Sequence, residues 1–223
     1  MSSIVPLRDL FQGIQFIDPM LALDHLVIVG ETVDSAARHI EAALGVPMQA
    51  GGAHQAMGTH NRLLGLAGGV YIEAIAIDPA APAPDRPRWY NLDRFSGEPK
   101  LTHWAARTTD IDATLAASPA GTGVPLALTR GPYAWTMAIP ETGQTPFDGM
   151  SPALLSWDGP HPADALTDRG CSLNWLEIQH PDIDHLFTSF PALAQVDRLR
   201  FSHSSQPGLR AEIGTPHGPR LLT

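Results

Sequence analysis

The residues best able to do chemistry gather in the segment GGAHQAMGTHN, residues 51–61. His54, Thr59, His60 and Asn61 bring imidazole, hydroxyl and amide groups together, and Gly51, Gly52 and Gly58 allow positive φ and close backbone approach. Such a segment near a cavity mouth suits a ligand oxygen, since function gathers on positioned loops. It equally suits a tight turn in which Thr59 and Asn61 bond local backbone. Arg107 shares a strand face with His103 by the two-residue period of extended chain. Its guanidinium could take a substrate carboxylate in bidentate fashion, or form a structural ion pair. Cys171 has no adjacent base or cation, which argues against a nucleophile. The absence of GxSxG, Walker, HExxH and GxGxxG patterns disfavours hydrolase, nucleotide-binding and zincin chemistry.

An internal repeat supplies the elements that must position these groups. LDHLVIVGETVD from Leu23, LTHWAARTTDID from Leu101 and LNWLEIQHPDID from Leu173 align without gaps. They carry His25, His103 and Trp175 at the same place. Each reads as a strand running into a helix, with Thr32 or Asp34, Asp110 and Asp182 as N-cap candidates. Strict alternation over 21–29 predicts Leu23, His25, Val27 and Val29 on one face. Strand signals at 46–50, 61–66 and 70–77 complete a first βαβββ module over 21–78, after an N-terminal extension at 1–20. A Pro-rich connection at 79–99 leads to a second module over 100–158, with strands near 127–128, 134–139 and 153–157. A short third βαββ unit over 159–223 is expected to complete the sheet. The fold class is therefore α+β, with repeated modules forming a curved, cupped mixed sheet around a central cavity. Pairing two such modules encloses a cleft, because a sheet with one helix leaves a face needing cover. The stretches 79–99 and 158–168 are connections that could also cover that cavity.

Composition narrows the partners. Hydrophobic residues make up 43% of the 223 and charged residues 17%, a globular balance. A net charge of −9 with 14 Lys and Arg disfavours nucleic acid, which needs a basic face. No apolar run reaches membrane-span length and the first residues lack signal-peptide character, so no membrane partner is expected. The single cysteine fits a reducing compartment, and the chain reads as cytoplasmic.

The opening LDHLVIV, the segment GGAHQAMGTHNRLLGL, the strand GVYIEAIAID, LTHWAARTTDID, SWDGPHP and the closing LRAEIGTPHG together resemble the glyoxalase-like branch of the vicinal-oxygen-chelate superfamily. The resemblance spans nearly the whole chain. It implies paired βαβββ modules, inward ligands on the first and last strand of each module, and in many members a divalent metal. Carried over, it makes His25, Glu73 and His103 the metal ligands, for Zn²⁺, Mn²⁺, Fe²⁺ or Ni²⁺. The fourth position falls near Ala153, which cannot coordinate, and Glu212 in LRAEIG aligns with Glu73 as a candidate proton shuttle. Lyase, isomerase or dioxygenase chemistry on a small molecule with vicinal oxygens follows from that reading. The incomplete ligand set leaves a metal-free binding protein as the alternative, and a scaffold building a homo-oligomer as a third. Modules of this class often pair between chains, so a homodimer is also implied.

Overall fold

The computed structural model describes residues 21–223; the extension at 1–20 lies outside them. The first module runs β1 (Ala22–Val29), α1 (Val33–Leu44), β2 (Gln49–His54), β3 (Thr59–Leu66) and β4 (Val70–Ile77). The second repeats this order with β5 (Lys100–Arg107), α2 (Ile111–Ala116), β6 (Val124–Arg130), β7 (Tyr133–Ile139) and β8 (Ala153–Trp157). Together they build one eight-stranded sheet in the order β2-β3-β4-β1-β5-β8-β7-β6. Each module closes on itself by a parallel pair, β1 with β4 and β5 with β8, and the modules join antiparallel at β1 and β5. The sheet curls until its two edge strands meet, Arg130 at the end of β6 bonding His54 at the end of β2.

Local chemistry explains the helices. Thr32 caps α1, accepting the Ser35 N–H while Ser35 returns a bond to the Thr32 backbone. Ala36, Ala37, Ile40 and Leu44 form its buried stripe. Asp110 caps α2 through the Ala113 N–H at 2.9 Å. Asp182 stands at the cap position of α3 (Ile183–Ser189) without a side-chain bond.

The third unit does not complete the large sheet. Its strands β9 (Ser172–His180), β10 (Leu199–His203), β11 (Gly208–Thr215) and β12 (Gly218–Leu222) form a separate sheet in the order β10-β9-β11-β12. The large sheet's edges have curled towards each other, and the new strands bury Leu176, Ile178, Leu209, Ala211 and Ile213 in the same apolar core as α1. That core lies on the outer face of the large sheet, with Leu26, Ile28, Ile72 and Trp104. A second core lines the inside of the cup, with Val27, Val29, Ile75, Trp135 and Leu155. Among the described residues no helix is long and apolar enough to cross a membrane.

Candidate functional site

The inner face carries a chain of buried polar groups that begins at a β-bulge. Pairing of β1 with β5 shifts between Leu23 and His25, so Asp24 is the extra residue. Leu23 therefore joins the outer core while His25 turns inward, correcting the strict alternation expected over 21–29. Asp24, fully buried, now stands beside His25 rather than opposite it. Its Oδ1 accepts from His25 Nδ1 at 2.6 Å, and its Oδ2 accepts from Trp157 Nε1 at 2.9 Å and His161 Nε2 at 3.0 Å. Burial alone would raise this carboxyl, but the bonds and charges of His161 and His25 outweigh it and hold Asp24 well below the usual carboxylate range. His161 takes the Ala163 N–H on Nδ1, which assigns its own proton to Nε2.

With Nδ1 committed to Asp24, His25 presents Nε2 to the centre of the cup. Tyr90 donates its hydroxyl there at 3.2 Å, and Glu73 Oε2 lies 3.5 Å away. Burial, then the charges of Glu73 and Asp24, keeps the Tyr90 phenol protonated far into alkali. Tyr71 stacks on the His25 ring at 4.6 Å. Glu73 Oε1 accepts from Asn61 Nδ2 at 2.5 Å. Asn61 Oδ1 in turn accepts from Gly52 N at 2.9 Å and Arg130 Nη1 at 3.1 Å. Arg130 also donates to His54 Nε2 at 2.8 Å, leaving Nδ1 to bond Thr59 Oγ1 at 3.0 Å. Burial chiefly, helped by Arg130, lowers His54 to about 3, so the ring is neutral. Gly51 and Gly52 make this packing feasible: a methyl on Gly51 would collide with Asn61 Oδ1, and one on Gly52 would stand 2.9 Å from Arg130 Cδ.

The sequence-derived candidates divide accordingly. His25 and Glu73, on neighbouring strands, meet on one face. His54, Thr59 and Asn61 join them, because GGAHQAMGTHN folds as the hairpin of β2 and β3 rather than as a loop between strands. His60 lies one residue out of phase with Thr59 and Asn61, on the other face of β3. Arg107 directs its Nη1 to the carbonyls of Leu23 at 2.8 Å and Gly69 at 3.1 Å and to Asp24 Oδ2 at 3.7 Å, a structural ion pair behind the site. The guanidinium inside the site belongs to Arg130. Glu212 lies on β11, where Leu209, Ala211 and Ile213 take the core face, so it points away and accepts from Asn174 at 2.9 Å. Trp175 lies under the Arg200 guanidinium at 4.6 Å. Asp24, Tyr90, Arg130 and His161 are site residues that no motif or period in the sequence singles out. Two of them come from the Pro-rich connections marked as covers.

The fit for a metal falls short. His25 Nε2 and Glu73 Oε2 offer two donors, but Tyr90 stands between them and His103. Its hydroxyl is on His25, and its ring centroid lies 5.4 Å from that of His103. Among the described residues no three His, Cys, Asp or Glu side chains are grouped to hold an ion. His103 bonds Thr102 Oγ1 through Nδ1 at 3.0 Å, and its buried Nε2 has no partner among the described residues. Burial lowers His103 to about 3. The centre holds a cavity of about 30 Å³, walled by Trp89, Tyr90, Trp135, Met137, Leu155 and Trp157 among others. That is room for about one water.

Two βαβββ modules joined into one curled sheet, with acid, amide and imidazole groups buried on its inner face, define a protein of vicinal-oxygen-chelate architecture. The chain belongs to the glyoxalase-like domain family, whose model matches residues 23–194. A solved structure of a hypothetical protein from Staphylococcus aureus is similar at a TM-score of 0.58 and 11% identity, covering 84% of this chain and 87% of that one. Methylmalonyl-CoA epimerase from Mycobacterium tuberculosis is 19% identical at a TM-score of 0.42, over 68% of this chain and 97% of that one. At these identities the likeness concerns fold alone. No curated protein gives a significant match.

Proposed function

We propose that this chain is a small-molecule enzyme that moves a proton at a carbon beside a carbonyl, in an isomerase or lyase reaction on a compound with vicinal oxygens. The observation that carries the reading is the buried Asp24–His25 pair, with His25 Nε2 directed at Glu73 and the centre of the cup. A carboxylate on Nδ1 fixes the tautomer and orientation of an imidazole and stabilises its protonated form, the arrangement a general base needs. His25 Nε2 takes the proton from carbon. The C–H pair forms the enolate double bond, and the carbonyl pair moves onto oxygen. Arg130, which lines the central cavity, favours that charge. Glu73, 3.5 Å from Nε2, accepts the proton and returns it to the former carbonyl carbon. The neighbouring hydroxyl meanwhile passes its proton to the enolate oxygen and becomes the new carbonyl. In the lyase case the enolate re-forms its carbonyl as a β-substituent departs with the electron pair. Among the described residues two donors rather than three are suitably grouped, so no step is routed through a metal ion.

The aromatic wall and the unfilled ligand set favour a second reading, a protein that binds a flat molecule without changing it. Solvent-deuterium incorporation separates the two. A panel of 2-hydroxy ketones and 2-oxo acids in D₂O, followed by proton NMR, should include compounds that lose an α-proton signal with the wild type but not with His25→Gln. Exchange in both proteins would remove His25 as the base. Saturable binding without exchange would select the binding protein.

A further inference from the structure

The kinked strap Trp89–Arg94 closes the cup, and four features in and around it do not fit a passive cover. Tyr90 and Asn91 both stand in the left-handed region, at φ 58° and 55°, which asparagine adopts readily but which strains Tyr90. Trp89 Nε1 and His103 Nε2, whose rings both neighbour that of Tyr90, are buried polar atoms without a partner among the described residues. Gly149 backs His103 so closely that a methyl there would stand 2.9 Å from Nε2. Tyr90 is also a shared wall. On one side lies the centre of about 30 Å³, and on the other an outer cavity of about 400 Å³ that includes Asn91, Arg94, Lys100 and His103. With the phenol in place the centre cannot admit a substrate.

We infer that Tyr90 is a gate whose phenol fills the place of the ligand, and that the ligand is a planar molecule bearing a phenolic or enolic hydroxyl. The inference rests on the proposed site, in which the reacting group lies against His25 Nε2. Inserted, Tyr90 gives a hydroxyl to His25 Nε2 and lays a flat ring 5.4 Å from His103 and 5.8 Å from Trp89. A ligand of that shape reproduces both contacts. Its arrival releases the left-handed turn and joins the centre to the outer cavity, freeing Trp89 Nε1 and His103 Nε2 to find partners. Gly143 holds the strap closed: its carbonyl accepts the Asn91 N–H at 2.9 Å, and a methyl on it would collide with the Arg88 carbonyl.

The test is binding of 4-methylphenol, the tyrosine side chain as a free molecule, with cyclohexanol as the non-planar control, followed by NMR titration of the tryptophan indole signals. Wild type should bind 4-methylphenol in preference to cyclohexanol. Tyr90→Phe removes the bond that holds the gate in, so the dissociation constant should fall by about two- to tenfold. Gly143→Ala, which leaves the phenol untouched, should shift it in the same direction. Weaker or unchanged binding in both variants would overturn the gate, as would no binding to any of the three proteins. Because the readout is equilibrium binding, a failure of proton exchange leaves this result standing, and the converse holds.

Discussion

At the scale of single residues, the site works by burying the Asp24 carboxylate and the neutral rings of His54 and His103 among aromatic and amide groups. Asp24 has a folded-state pKa below its ordinary value, so its stabilisation is complete above the usual carboxylate range. It is lost as pH falls through that range towards the folded value. His54 and His103, lowered to about 3 against an ordinary 6.5, act in a neighbouring window. As pH falls from 6.5 the unfolded chain binds protons that the folded chain refuses, and stability drops by up to about 1.4 kcal/mol per pH unit for each ring. His103→Gln cannot titrate and should flatten that slope by the same amount, read from urea unfolding between about pH 6 and about pH 4. An unaltered slope would mean that His103 is charged in the fold. His54 and His103 stand out in the sequence as candidates; Asp24 does not. Asp24 sits beside His25 in LDHL, yet regular alternation assigns it to the opposite face. Only the extra residue in β1, invisible to periodicity, turns both side chains inward.

At the scale of elements, the hairpin of β2 and β3 is the part that sets site geometry most tightly. Gly51 and Gly52 are bare because Asn61 and Arg130 occupy the space where their side chains would be. Gly51→Ala should therefore displace Asn61, break its bond to Glu73 and cost about 1–3 kcal/mol, seen as a lower urea midpoint and weaker deuterium exchange. A fully active, equally stable variant would show that Asn61 does not hold Glu73. The three strand-then-helix repeats and their caps were readable because hydrophobic period and capping chemistry are local signals. The origin of Tyr90 and His161 was not. Both lie in Pro-rich connections whose course depends on what the sheet offers them, and a connection has no period to announce which side chain it inserts. Glu212 shows the reverse failure. Its alignment with Glu73 is real in sequence, but β11 belongs to the second sheet and turns its core face elsewhere.

At the scale of the whole molecule, one outer core fastens α1 and the second sheet to the back of the cup, while the inner core is left to the site. A common core predicts common unfolding. Ile40→Ala in α1 and Leu176→Ala in β9, both fully buried, should each cost about 2–5 kcal/mol and lower the same single transition. Two separable transitions would mean that the third unit folds by itself. Neither substitution touches the inner face, so deuterium exchange should persist below the new midpoint. The pairing of the two modules was expected from the face that each leaves uncovered; their joining edge to edge at β1 and β5 was not. Nor was the separate sheet, since strand patterning does not say which sheet a strand will join. The most direct test of the account compares proton exchange by chelator-stripped wild type and Asp24→Asn on one reactive carbonyl compound. An imidazole base oriented by a buried carboxylate predicts that stripped wild type keeps its rate, while Asp24→Asn loses about 10²- to 10⁴-fold. A rate that vanishes on stripping, returns with Zn²⁺, Mn²⁺, Fe²⁺ or Ni²⁺, and is equal in Asp24→Asn would contradict it.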